Sequence, residues 1–324
     1  MGRYVIQRLI LTLPLLFVIS VVSFLLMHLA PGDPTEFFVD PTKPGVNSPE
    51  MLARLREQMG LDDPLYIQYV KWLGNVLQGN WGYSLISKKA VLAEIAERLP
   101  NTLLLGSAAL LLALLIAIPA GIISAVRKYT IFDYLVTALA FIGVSMPAFW
   151  FGLLLMQVFA NQLQLLPAVG MHNVREELEG IEAVVDVLKH MTMPALVLSM
   201  GSMASWTRYQ RSSLLEVVGQ DFIRTARGKG LRERQIILMH ALKNSLIPMI
   251  TLLGMSLPSL VGGAFITETV FAWPGMGRLG VGAIIGRDYP IVMGVTMVSA
   301  LVVVFGNFLA DLAYAWADPR IRYG

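Results

Sequence analysis

The sequence predicts an all-α membrane protein that crosses the bilayer six times. Three observations predict it. Of the 324 residues, 56% are hydrophobic and only 15% charged, with a mean hydropathy of +0.64, whereas soluble domains carry about 25% charged residues. Six apolar runs reach or approach the roughly 20 residues that a spanning helix needs. Lysine and arginine collect at alternate ends of those runs, as positive-inside bias requires. The same composition excludes intrinsic disorder, which needs low hydrophobicity and high charge. The absence of cysteine excludes disulfides, thiolate zinc sites, iron–sulfur clusters and cysteine nucleophiles. A net charge of +3 is too small to indicate a nucleic-acid partner.

The first run, residues 9–30, has no Asp, Glu, Lys or Arg and follows Arg3 and Arg8. It exceeds the 7–15 residues of a signal-peptide core, and no small-residue cleavage site follows, so it reads as a retained helix. The other runs are residues 101–126, 134–159, 188–206, 246–270 and 291–316. One side of the implied topology carries fourteen basic residues against five acidic ones; the other carries eleven against fifteen. The basic side is read as cytoplasmic, with both termini inside. This divides the chain into residues 1–30 (N-terminal segment and first span), 31–100 (an extracytoplasmic helical segment) and 101–324. The last part is a five-span core that contains a cytoplasmic loop at 207–245.

Within 31–100, Ser48-Pro49-Glu50 opens a helix that Gly60 can stop, and Asp63-Pro64 opens another ending near Gly79. In the second, Tyr66, Ile67, Val70, Leu73 and Leu77 form an apolar stripe. It is read as packing on the membrane helices or lying at the interface; the alternative is a docking surface for an extracytoplasmic partner. A second outer loop, around 160–187, carries Glu176, Glu177, Glu179, Glu182 and Asp186, a solvated charge run.

The loop 207–245 is more informative. Asp221 is placed to cap a short helix through Phe222, Ile223, Arg224, Thr225 and Ala226, which Gly230 can end in a left-handed conformation. A second helix starts near Leu231 and runs toward Pro248. A capped helix pair nearly 40 residues long with eight basic residues suits a surface that converts the motion of a soluble partner into rotation of the spans. Spacing alone equally allows an amphipathic helix on anionic lipid.

Other chemistry is thin. The four histidines, His28, His172, His190 and His240, form no H-E-x-x-H pair. No serine sits in G-x-S-x-G and there is no P-loop, so the chain is read as having no nucleotide site or catalytic constellation of its own. Glu268 and Asp311 are the acidic residues inside apparent spans. Glu268 is expected at the interface, because it lies two residues from its helix end, and Asp311 in a structural ion pair. Prolines 14, 119, 147, 194 and 258 lie within spans, where kinks are the common outcome; Pro258 stays open as a gate. A stand-alone secondary transporter would need an ion site at mid-membrane, and neither acid is an obvious one.

The segment from Asp221 onward resembles the EAA loop of permeases in ATP-binding-cassette importers. Arg224-Thr225-Ala226 stand at E-A-A and Gly230 at the glycine, while the closing I-x-L-P falls on His240–Lys243, with Pro248 five residues late. The match is closer to the peptide-permease branch: RTARGKG at 224–230, HALKN at 240–244, then Pro248. PGDP at 31–34, GLDDPLYIQYVKWL at 60–73, GNWGYS at 79–84, TETVFAWPGMGR at 267–278 and DPRIR at 318–322 also resemble the B-type subunit of dipeptide and oligopeptide permeases. The resemblance implies a type I importer permease fold in a bacterial or archaeal cytoplasmic membrane. It implies a second, homologous permease subunit, two cytoplasmic ATPase subunits that hold ATP and Mg, and an extracytoplasmic binding protein. It gives Asp221, Arg224, Thr225, Ala226, Arg227, Gly230 and His240 an ATPase-coupling role. Pro258, Glu268 and Asp311 remain structural or gating candidates. The family includes nickel, glutathione and oligosaccharide permeases, so peptide is the substrate the branch implies.

Overall fold

The computed structural model describes residues 2–29, 62–256 and 264–317. The predicted helix at 48–60, Pro258 and the DPRIR terminus lie outside these residues. Twelve helices are described: α1 (Gly2–Leu29), α2 (Leu65–Leu77), α3 (Val91–Val126), α4 (Ile131–Ser145), α5 (Ala148–Leu155, continued by a π-helical turn, Met156–Gln162), α6 (Gly180–Val218), α7 (Asp221–Gly228), α8 (Glu233–Ser245, π-helical over Ile236–Ala241), α9 (Ile247–Ser256), α10 (Phe265–Val270), α11 (Met276–Ile285) and α12 (Tyr289–Ala317). Among the described residues there is no strand, and one isolated bridge joins Tyr83 and Ala90.

Helices α1, α3, α6 and α12 are each long and apolar enough to cross a membrane. Two bent pairs, α4–α5 and α8–α9, bring the total to six if each counts as one span. At most 39% of any single-helix span is buried within the protein. The exposed remainder is apolar, as in Leu115 and Leu139, which is the arrangement a lipid-facing surface requires.

Residues 134–159 are not one straight span. The chain bends by 110° between α4 and α5. Met146 leaves the helical region at ψ 128°, as the residue before Pro147 is driven to do, and Pro147 then opens α5. Pro14, Pro119 and Pro194 remain inside α1, α3 and α6. The fourth span also outgrows its apolar run: α6 has 39 residues and carries the chain well beyond residue 206.

The chain separates into two compact units, residues 1–97 with 279–301, and residues 98–278 with 302–324. In the first, α2 packs on α1. The Tyr69 hydroxyl meets Ser20 Oγ at 2.8 Å, the Gln68 side chain meets His28 Nε2 at 2.8 Å, and the Phe24 ring lies 5.8 Å from that of Trp72. Of the predicted stripe, Tyr66, Val70 and Leu77 are 71%, 65% and 80% exposed, so these three do not pack on α1. In the same unit the buried Asp288 carboxylate accepts from Ser84 Oγ and from the Leu85 amide at 3.1 Å, tying the 84–86 turn to the start of α12.

In the second unit α3 and α6 run parallel through successive core layers. Leu105 and Ala109 pack with Met191 and Ala195, Ala113 and Ala117 with Trp206, and Ala125 with Leu214 and Val217. Parallel spans require a return crossing between them, which α4–α5 supplies. The α3 contribution is largely alanine, which lets helix backbones approach closely. The approach is tightest at Gly121, where a Cβ would lie 2.8 Å from both Gln210 Cβ and Thr207 O.

Candidate functional site

The predicted coupling segment folds as a capped helix. Gln220, not Asp221, is the N-cap of α7, at φ −77° and ψ 155°. Asp221 is the first helical residue and turns its side chain to Arg224, with Nη1 3.3 Å from Oδ1. Both side chains are exposed, so this pair adds little stability. The C-terminus is a Schellman motif: Gly230 N–H donates to Arg227 O at 2.9 Å and Leu231 N–H to Ala226 O at 3.4 Å, with Gly230 at φ +76°. Beyond the turn, Arg227 grips Glu233 with both Nε and Nη2, at 3.2 and 2.7 Å, linking α7 to α8. The carboxylate raises the already high pKa of Arg227.

The helix has two faces. Ile223 and Ala226 are buried; the other six residues are exposed. The two buried side chains enter a cluster made by Ala125 of α3, Leu214 and Val217 of α6, and Ile236 and Ala241 of α8. Of the predicted coupling residues, Asp221, Arg224, Thr225 and Arg227 share the exposed face and Gly230 closes the helix. Ala226 belongs to the anchor. His240 is exposed on the π-helical turn of α8.

An ion pair with a buried carboxylate lies one helical turn from this cluster. Arg211 of α6 donates through Nε and Nη2 to both oxygens of Asp133, at 2.7 and 2.8 Å. The same carboxylate accepts from Ser124 Oγ and, at 2.9 Å, from the Tyr129 amide. It thereby fixes the α3–α4 turn, in which Tyr129 takes a left-handed φ of +62°. Asp133 is 3% exposed, and two-pronged arginine–carboxylate contacts of this kind are short and directional. Charge counting registers Asp133 and Arg211 only as topology signals. Their separation of 78 residues hides the pair from any local pattern. Helix spacing includes Ile223 in α7 but does not mark it as an anchor.

The second cluster surrounds Glu268. Glu268 is fully buried in the second unit. Its carboxylate accepts from Thr102 Oγ1 at 2.7 Å and from the Arg278 amide at 3.1 Å, and so caps the N-terminus of α11. Thr102 Oγ1 in turn accepts from the Met276 amide at 2.8 Å, and Trp273 Nε1 donates to Asn101 O at 3.0 Å. A Cβ at Gly275 would enter the Glu268 carboxyl group, and one at Gly277 would lie 2.6 Å from Phe265 Cα. The spacing of Glu, Trp-Pro-Gly and Gly-Arg thus has a steric and hydrogen-bonding cause. Asp311 lies on α12, and its side chain is outside the described region. Among the described residues, no three His, Asp or Glu side chains gather as a metal site.

The fold is similar to a chain of the MetNI methionine ABC transporter solved in inward-facing conformations, with a TM-score of 0.55 at 19% identity over 70% of this chain and 97% of that one. Over essentially full length, the chain is 43% identical to the oligopeptide transport system permease protein AppB of Bacillus subtilis, covering 100% of both. It is 44% identical to a putative peptide permease protein of Brucella suis, covering 99% of both. The dipeptide transport system permease protein DppB of Escherichia coli is 36% identical, with 100% of this chain and 99% of that one covered. Residues 1–106 match the N-terminal model for membrane components of binding-protein-dependent transport systems. Residues 117–323 match the model for their inner membrane components, so the chain belongs to the family of binding-protein-dependent transport system inner membrane components.

Proposed function

We propose that this chain is the membrane-spanning subunit of an ATP-driven, binding-protein-dependent importer of dipeptides or oligopeptides. It lines a translocation path with a second, homologous permease subunit. Two ATPase subunits bind ATP and Mg and seat α7 on the cytoplasmic side, where both termini lie. A binding protein delivers substrate to the opposite face. The chain itself carries no catalytic site. The single observation behind this reading is the construction of α7: an exposed, mostly polar face, closed at its C-terminus by Gly230, whose two buried residues join the ends of α3 and α6. A push on such a helix reaches two spans as a rigid-body movement. The full-length likeness to peptide permeases supports the substrate class.

Affinity purification of the tagged chain in mild detergent, followed by mass spectrometry, tests the assembly. Stoichiometric ATPase subunits and a second permease are the expected companions. Recovery of the chain alone overturns the proposal. Uptake of labelled di- and tripeptides by the assembled complex, with nickel and glutathione as competitors, tests the substrate.

Gly230 offers a finer test of coupling. No atom lies within 4 Å of a Cβ added there, so its requirement is conformational and not spatial. Left-handed backbone costs an ordinary residue about 1–2 kcal/mol, and asparagine tolerates it best. Gly230→Val is therefore expected to lower ATP-driven uptake about tenfold at unchanged membrane abundance, and Gly230→Asn to leave it near normal. Equal uptake by Gly230→Val and the wild type removes the coupling role from this cap.

A further inference from the structure

We propose that α2 is an interfacial helix whose apolar stripe, the exposed Tyr66, Val70 and Leu77 with the half-buried Leu73, rests on lipid acyl chains of the leaflet at the Leu29 end of α1. The first support is depth. The apolar window of α1 is Thr12–Leu29, and α2 is bonded to its second half: Gln68 meets His28, Trp72 meets Phe24, and the Tyr69 hydroxyl meets Ser20. At about 1.5 Å per residue, Ser20 lies roughly 13 Å along the axis from Leu29, near the middle of the hydrocarbon-spanning stretch. Tyr69 and Trp72 thus pack at the depth of the apolar window of α1.

The second support is the arrangement of faces around α2. At about 100° per residue, the helix surface divides into three strips. Gln68, Tyr69, Trp72 and Val76 face α1. Lys71, Asn75 and Gln78 form a polar strip. The apolar stripe lies between them on the remaining side. Lys71 reaches back to Asp63, with Nζ 2.6 Å from Oδ2, and Gln68 Nε2 donates to Asp63 O at 2.8 Å. The polar tips therefore gather at the α2 start, beside His28, as snorkelling side chains do. The third support is level. Asn75 and Val76 share a cavity of about 260 Å³ with Met27 of α1 and Tyr289 and Met293 of α12. The far half of α2 thus also lies level with the ends of two membrane helices. Trp72, Trp81 and Tyr289 line the same cavity, and such residues are enriched at membrane–water boundaries. With its two neighbouring strips assigned, the stripe is the outward side of α2, and α1 beside it also exposes apolar side chains, among them Phe17, Val18 and Leu25.

The chain has no native cysteine, so single labels can be placed directly. Val70→Cys, Leu77→Cys and, for the polar strip, Gln78→Cys carry a nitroxide. Each variant is measured in the intact transporter, in nanodiscs of phosphatidylethanolamine and phosphatidylglycerol, without binding protein. Spin relaxation by dissolved oxygen is expected to exceed relaxation by a water-soluble nickel chelate at Val70 and Leu77, with the order reversed at Gln78. A higher nickel-chelate effect at Val70 and Leu77 places the stripe in water and overturns the proposal. So does protection from both reagents, which means that another protein surface covers it. Two stripe positions keep the test informative if one variant fails to assemble, and the readout is independent of what the complex transports.

Discussion

Glu268→Ala is expected to lower the stability of the chain by about 3–5 kcal/mol, because it leaves the Thr102 hydroxyl and the Arg278 amide without their acceptor. An unsatisfied buried donor costs about 1–3 kcal/mol, and the vacated volume adds a cavity cost. Trp273 is fully buried and hydrogen-bonded in the same cluster, so its fluorescence reports the local loss. The expected result in detergent is a melting temperature lowered by about 10 °C. Glu268→Gln keeps the shape and one acceptor and is expected to melt between the wild type and the alanine variant. Gly275→Ala is expected to match Glu268→Ala, because its added carbon claims the space of the carboxyl group. Lost uptake in Glu268→Ala at an unchanged melting temperature would instead make Glu268 a gating residue.

The second large effect concerns the anchor of α7. Ile223 is fully buried among Ala125, Leu214, Val217, Ile236 and Ala241. Ile223→Ala truncates the side chain in this cluster, a change that costs about 2–5 kcal/mol at buried sites. The helix then keeps its exposed face but loses rigid attachment to α3 and α6. Under the coupling proposal, ATP hydrolysis persists while uptake falls at least about tenfold. Arg224→Ala, on the exposed face, is expected to weaken binding of the ATPase subunits while leaving stability within about 0.5 kcal/mol of the wild type. If Ile223→Ala transports normally, motion does not pass through this cluster.

These residues show what a linear sequence discloses. The spans are legible because lipid imposes a length and a composition on each one. The α7 cap is legible because glycine at a left-handed position leaves a local mark. The N-cap falls one residue before the expected position because Asp221 pairs with Arg224 rather than with the helix amides. The sharp bend at Pro147 is not separable in sequence from the mild behaviour of Pro119 and Pro194. Its partners are remote: Gly152 approaches Phe271 so closely that a Cβ would lie 3.1 Å from the ring, and Leu155 packs with Met193 and Val197. Glu268 and Thr102 meet across 166 positions of sequence. Periodicity finds the amphipathic character of α2 but does not say which strip meets α1. Tyr69 and Trp72 combine apolar bodies with polar tips, and they take the inner position.

The two faces of α7 also bear on how such a chain changes over generations. Ile223 and Ala226 answer to the interior of their own subunit, while Asp221, Phe222, Arg224, Thr225 and Arg227 project outward. Substitutions on the outer face can drift in step with whatever surface they meet, with no refolding of the anchor. Under the coupling proposal, the surface offered to a partner can change while the attachment of the helix to α3 and α6 stays the same.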